Sequence, residues 1–346
     1  ITLPNGFGNM KNFTFDGQGH TIKNATINYT GSDNVGLFVG GNQGISNLVV
    51  ENIKVIAPNT TNAVGIVSSD ANATINNVTV RNSSVTGGKY TGAVVGYNYG
   101  SVTNCTVENC TVSGRYKVGG VVGYICNSND VPTYVTGNVL TGVTVKGENL
   151  VAGKNNFVIG KIVGNWNATT GECSGNRFTG TTDATEDIGE IESRCIVTVN
   201  GALHCTLAQF NALTSIPAAA EKVYVDLGNA SLQNGLTIGN DNIADHYHYG
   251  EWNSDAAPSG YPLKTNIDNF TTHDGEKIRY IYSTGKSAVN IILTGSVTGA
   301  TDTGDFNAGA ITLKVPDAAN VIFDTVIFGE GQMAMSMWTE SHVQSM

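Results

Sequence analysis

The densest set of chemically able side chains lies in DNIADHYHYGEWNSDAAPSGYP at 241–262. His246 and His248 alternate as on a strand, so both imidazoles can face one metal ion, with Glu251 or Asp255 as a third ligand. Tyr247, Tyr249, Trp252 and Tyr261 in the same stretch offer faces that stack on sugar rings, or apolar bodies that plug the end of a core. An ordinary ordered loop has the same composition. TDTGDFNAG at 301–309 sets Asp302, Asp305 and Asn307 in a glycine-bounded loop suited to Ca2+, although no acidic residue closes it as in an EF-hand. No cofactor is expected beyond Ca2+ at this loop, apart from the metal ion that His246 and His248 would share. Met333, Met335 and Met337 alternate with small residues and read as one strand face. Cys195 and Cys205 bracket IVTVNGALH, a hairpin-like segment that permits a local disulfide or leaves two buried thiols.

Catalysis on polysaccharides would need two carboxylates at catalytic separation, or acidic calcium ligands beside an Arg or Lys base. Asp16, Asp33, Asp70 and Asp130 do not share a repeat position, and Arg81, Arg115 and Lys117 are scattered, so no enzyme is expected. A net charge of -10 opposes phosphate backbones, and no apolar run approaches the roughly 18 residues that span a bilayer. Nucleic-acid partners and membrane-spanning segments are thus not expected. The chain opens at Ile1 without Met or a leader pattern, which reads as a mature or trimmed fragment.

The elements that must position these side chains follow from a repeat. VGLFVG at 35–40, VGIVSS at 64–69, TGAVVG at 91–96, VGGVVG at 118–123 and IGKIVG at 159–164 recur along the first half. Their glycines are Gly36, Gly40, Gly65, Gly92, Gly96, Gly119, Gly123, Gly160 and Gly164. Each string is followed by an alternating segment such as ISNLVVENIKV from Ile45 or SVTNCTVENCTV from Ser101. Asn47, Asn77, Asn104 and Asn138 align in one column, and Asn52, Asn82 and Asn109 in another. A period near 27 residues holding about three short strands is one coil of a parallel β-solenoid. Asn at the corners can take left-handed angles and bond to the next coil, while Gly serves where φ is positive or backbones approach closely. Phe38, Val67, Val94 and Val121 then stack in the bore, and Cys105 and Cys110 are expected as free thiols packed inside.

The glycine strings, VGLFVG above all, resemble the GLUG motif of bacterial extracellular proteins, among them adhesin-like proteins and certain immunoglobulin-cleaving peptidases. FDGQGHTI, just after Asn12, is similar to the entry of right-handed parallel β-helices, and the composition resembles surface proteins of gut Bacteroidetes. The resemblance covers about half the chain and implies a scaffold, with no catalytic group.

An acidic, Thr-rich stretch at 181–194 breaks the repeat, so residues 1–192 are expected as an all-β, right-handed parallel β-helix and 193–346 as a β-rich part. Thr206 suits a helix N-cap for LAQFNALTSI, which Pro217 stops. Strand-like runs follow at 223–227, 278–282, 289–295, 310–315 and 320–328, consistent with a second, helix-capped solenoid. The expected protein is a monomeric, extracellular or outer-surface-attached, adhesin-like module that presents its Thr/Asn faces and its loops at 126–157 and 241–262 to a host glycan or extracellular protein. A polysaccharide lyase or hydrolase, or a purely structural stalk, is the alternative.

Overall fold

The computed structural model describes residues 6–7, 12–41, 43–127, 131–148, 157–214 and 216–225 in full. Outside these it describes strand backbone alone, at Thr2–Leu3, at Asp226 and within the strands named below for 201–346. The chain divides into two compact units, 1–200 and 201–346.

In the first unit the glycine strings and the alternating segments become the faces of a coil. Ala63–Gly65, Tyr90–Gly92, Lys117–Gly119 and Val158–Gly160 form one parallel sheet. Ser68–Ala71, Val95–Asn98, Val122–Cys126, Val163–Asn167 and Ile188–Ile191 form another. The remaining faces stack Thr21–Asn28 on Ile45–Ile56, then Ile75–Arg81 with Ser84–Thr86. Thr106–Glu108 with Thr111–Gly114, then Val139–Gly147 and Arg177–Thr182, continue them. Each strand bonds to the equivalent strand of the next coil, so the coil itself is the crossover that parallel pairing requires. The expected all-β parallel helix is what the chain forms.

Burial follows the sequence pattern. Val67, Val94 and Val121 are fully buried and Phe38 nearly so, as expected of a bore column. Each such side chain contributes about 1.5–3 kcal/mol relative to exposure. In Ile75–Arg81 the inward residues are Ile75, Val78 and Val80, and the three-residue step spans a corner at Asn77. Asn47, Asn77 and Asn104 take φ of 52°, 54° and 53°, and Asn52, Asn82 and Asn109 take 53°, 50° and 51°. The left-handed region admits asparagine better than other non-glycine residues. Along the axis Asn77 Nδ2 donates to Asn47 Oδ1 at 2.8 Å, and Asn47 Nδ2 donates to Asp16 Oδ1 at 3.0 Å. The second column shows the same bond from Asn52 to Asn24, at 2.7 Å.

Asn138 departs from its expected column. Thr103 pairs with Thr136 and Thr106 with Val139, which sets Gly137, at φ 67°, over Asn104. Asn138 then sits over Cys105 on the inward side, fully buried. Its polar atoms are satisfied there: Nδ2 donates to Val102 O and to Asn176 Oδ1, and Oδ1 accepts from Cys105 N. Glycine meets the φ requirement of the corner without a side chain, which frees the asparagine one position later to pair internally.

The acidic stretch is not a break. Ile188–Ile191 adds a further strand to the five-stranded sheet, and Ile196–Val199 pairs in parallel with Thr170–Ser174. The division falls between Asn200 and Gly201, both at positive φ.

In the second unit Leu207–Ala212 is a helix of 6 residues. Thr206 Oγ1 accepts from Gln209 N while Gln209 Oε1 accepts from Thr206 N, a reciprocal cap. The helix ends earlier than its apolar spacing suggested, with Leu213 already extended as its C-cap. Ala202–Thr206, Lys222–Asp226, Val289–Thr294 and Val321–Phe328 pair in parallel succession. Leu236–Ile238 pairs in parallel with Ile311–Leu313. Among the described strands two pairings are antiparallel: Tyr247–Gly250 with Tyr280–Ser283, and Met333–Ser336 with Val321–Phe328.

The hairpin reading of 195–205 is corrected. Its two strands pair in parallel with other partners, Ile196–Val199 with Thr170–Ser174 and Ala202–Thr206 with Lys222–Asp226. Cys195 and Cys205 are free and buried, and burial pushes their thiols up to about 11 and about 12. Cys105 and Cys110 are also free and buried, as expected, pushed up to about 12 and about 11 by the same cause.

Candidate functional site

The glycine strings build a corner of a different kind from the asparagines. Gly65, Gly92, Gly119 and Gly160 lie in register, and none has a positive φ. A Cβ on them would sit 2.0 Å from Ser68 O, 2.3 Å from Val95 O, 2.0 Å from Val122 O and 1.9 Å from Val163 O. Gly96, Gly123 and Gly164 face back in the same way, with a Cβ 2.4 Å from Val64 N, 2.3 Å from Thr91 N and 2.6 Å from Val118 N. Close backbone approach, and not left-handed geometry, is what these glycines are for. Gly36 belongs with them, 2.7 Å from Ser69 N, whereas Gly40 is at φ 88°.

Where the backbones touch no side chain fits, so the side chains flanking the glycines meet beyond that contact. Tyr90, from the four-stranded sheet, lies 5.5 Å from Tyr97 and 4.7 Å from Tyr124, both from the five-stranded sheet. Tyr97 and Tyr124 are register partners, stacked at 4.9 Å with 22° between their planes. Tyr99 extends the cluster, 4.8 Å from Tyr97. Exposure rises from 9% at Tyr124 to 38% at Tyr99, so the cluster is packed at its base and open at its rim.

The same register column runs Asp70, Tyr97, Tyr124, Asn165, Glu190. Beyond the rings it turns polar. Asn165 Nδ2 donates to Glu190 Oε2 at 2.7 Å and to Glu192 Oε1 at 3.2 Å. Lys117 Nζ donates to the same two oxygens at 3.1 Å and 3.3 Å, and lies 5.4 Å from the Tyr124 ring centre. Lys89 Nζ lies 4.8 Å over Tyr90. Asn167 donates to the Tyr124 hydroxyl and in turn accepts from Arg194 Nε and Nη2 at 3.0 Å and 2.7 Å. Burial pushes the Tyr124 hydroxyl up to about 12, and Tyr97 higher still, chiefly by burial and next by its hydrogen bond with Tyr99. Tyr97 and Tyr124 are therefore neutral at any physiological pH.

His246, Glu251, Asp255, Trp252, Tyr261, Asp302 and Asp305 fall outside the described residues. Tyr247, His248 and Tyr249 lie on the strand Tyr247–Gly250, described as backbone alone, where alternation sets His248 opposite in register to Tyr282. Among the described residues no group of three or more His, Cys, Asp or Glu is placed to hold a metal ion. The tyrosine column was overlooked, and its signal is plain: GAVVGY at 92–97 and GGVVGY at 119–124 place Tyr after the glycine string in two successive coils.

A concavity of about 390 Å³ lies at the asparagine corner of the first coils, lined by Asp16, Gln18, Asn47, Leu48, Asn77 and Thr79 among others. Gln18 N and then Asn47 Nδ2, both donating to Asp16, hold its carboxyl below the usual 3.8. It holds one carboxylate, committed to the ladder.

Residues 87–115, which contain TGAVVGYNYG, match the GLUG motif. A stretch of 85 residues is 41% identical to halomucin of Haloquadratum walsbyi, covering 24% of this chain and 1% of halomucin. The chain thus spans a very small fraction of that relative's length. No solved structure matches it. Among the described residues no helix is long and apolar enough to cross a membrane.

Proposed function

We propose that the chain is the rigid, ligand-presenting part of an extracellular surface protein, adhesin-like in role, and that it binds a glycan on the tyrosine column beside its glycine corner. The observation that carries this reading is the set of Tyr90, Tyr97, Tyr99 and Tyr124, drawn from two sheets and bordered by Glu190 and Glu192. Half-open rings bury the CH faces of a sugar, and neighbouring carboxylate oxygens accept its hydroxyl protons. The GLUG motif and the similarity to halomucin support display outside the cell. A glycan and matrix-protein array tests the reading, with binding expected to glycans and to fall on Tyr99→Ala, an exposed position whose loss spares the fold. Protein-only binding indifferent to Tyr99 would remove it.

Polysaccharide cleavage is the second reading, favoured by Glu190 and Glu192 as a pair of carboxylates beside the aromatic rings. Both are bonded to Lys117 and Asn165, a use of their oxygens that supports a fixed binding surface. Release of reducing or unsaturated sugar ends, abolished by Glu190→Gln, would replace binding with turnover.

A further inference from the structure

We infer that the ligand is an uncharged, extended oligosaccharide lying parallel to the solenoid axis, packed against the open rim of Tyr97 and Tyr99 and hydrogen-bonded at Glu190 and Glu192. This deepens the glycan-binding reading above and rests on it.

The direction comes from the register. Tyr97, Tyr124, Asn165 and Glu190 belong to four successive coils, each about 4.8 Å above the last. Aromatic surface and hydrogen-bonding oxygens are therefore separated along the axis. A chain lying across the coils, parallel to the strands, would meet the rings of Tyr90 and Tyr97 and no acceptor of this set. A chain running along the axis meets the rim of Tyr97 and Tyr99 first and Glu190 three coils later. That separation exceeds one sugar ring, so a monosaccharide engages one end only.

Asn165 is fully buried and does not reach the ligand. It is a positioning residue: its amide fixes Glu190 and Glu192, whose side chains keep 44% and 38% of their surface open. The second oxygen of each carboxylate, Glu190 Oε1 and Glu192 Oε2, is the acceptor for sugar hydroxyls.

The charge comes from the same bonds. Lys117, the cation nearest the column, is already shared between the two glutamates, and Arg194 is held on Asn167. Lys89 stands over Tyr90 at the rim. Asp70 closes the far end of the column, where it accepts from Gly40 N and Gly41 N. A uronic or sialic acid would bring its carboxylate against Glu190 and Glu192 on a chain of net charge -10.

Calorimetric titration of the full chain with neutral gluco- and manno-oligosaccharides of increasing length, and with oligogalacturonates of matching length, tests this. Affinity is expected to rise with length and then level off, with oligogalacturonates weaker by about tenfold or more. Tyr97→Ala is expected to weaken every neutral ligand by about tenfold, and Glu190→Gln to weaken only those long enough to reach it. Tyr99→Ala is the parallel variant where Tyr97→Ala fails to fold. Length-independent affinity, or oligogalacturonates bound as tightly as neutral chains, overturns the axial and uncharged assignment while leaving glycan binding in place. Absence of binding by every saccharide removes both.

Discussion

The asparagine corners and the glycine corner turn the same chain by opposite means. At Asn47, Asn77 and Asn104 the backbone needs a left-handed φ, and the side chain adds a bond along the axis. At Gly65, Gly92, Gly119 and Gly160 the φ is ordinary and the requirement is empty space, because a carbonyl oxygen occupies the site of a Cβ. The molecule itself performs the substitution that separates the two. Gly137 stands over Asn104 and Gly142, at φ 64°, over Asn109. Asparagine corners accept glycine; the glycine corner has no converse in the register of its four strands.

The sharpest way to break this contrast is Gly92→Ala. Its Cβ would lie 2.3 Å from Val95 O and 2.6 Å from Val121 O, both backbone, so neither neighbour can swing aside. The loss should exceed the about 1–3 kcal/mol of ordinary overpacking, read as the denaturant midpoint of the first unit. A near-wild-type midpoint would mean the corner is pliable.

Asn138→Ala comes next. It strands the Cys105 amide inside the core, left without the acceptor it has in Asn138 Oδ1. About 2–4 kcal/mol is expected from the unpaired buried amide and the cavity. An effect as small as that of an exposed asparagine would restore Asn138 to the corner column.

Smaller again is the pair Asn77→Gly and Asn77→Ala. Glycine should cost less than about 1 kcal/mol, losing the bond to Asn47 but keeping the φ, whereas alanine should cost about 1–2 kcal/mol by adding left-handed strain. Equal costs would show that the ladder bond, and not φ, is what the corner selects.

The mildest test is acid titration of Asp16→Asn against the parent. The folded Asp16 carboxyl sits below 3.8, so its contribution is present above that pH and is lost as pH falls through the lowered value. The two proteins should therefore differ in stability at neutral pH and converge in acid. Parallel curves would show that Asp16 does not anchor the ladder.

Much of this was legible in the residues. The coil, the bore column of Val67, Val94 and Val121, and the thiols of Cys105 and Cys110 follow from period and hydropathy, which act locally. Asn138 was misplaced because aligning asparagine with asparagine is the natural match, while the corner selects on φ, which Gly137 satisfies equally well. The strand at Ile188–Ile191 was hidden by its charge: Glu190 belongs to a register column, and only pairing shows that. In 201–346 the strand runs were readable but their partners were not, since nothing local distinguishes the antiparallel pair Tyr247–Gly250 and Tyr280–Ser283 from a parallel one. Tyr97 and Tyr124 are readable as a repeat, each following a glycine string in successive coils, but aromatic density in the sequence peaks at 241–262 instead.

In-register stacking has one more consequence. Gly92 and Gly119 are one coil apart, and so are Gly119 and Gly160, although the second interval holds half as many residues again. Height along this molecule is counted in coils, and residues added within a coil leave the tally unchanged. A peptide grafted between 148 and 157 should lengthen the polypeptide without lengthening the body, whereas duplicating one repeat, residues 92–118, should raise the later coils of the first unit by a single strand spacing.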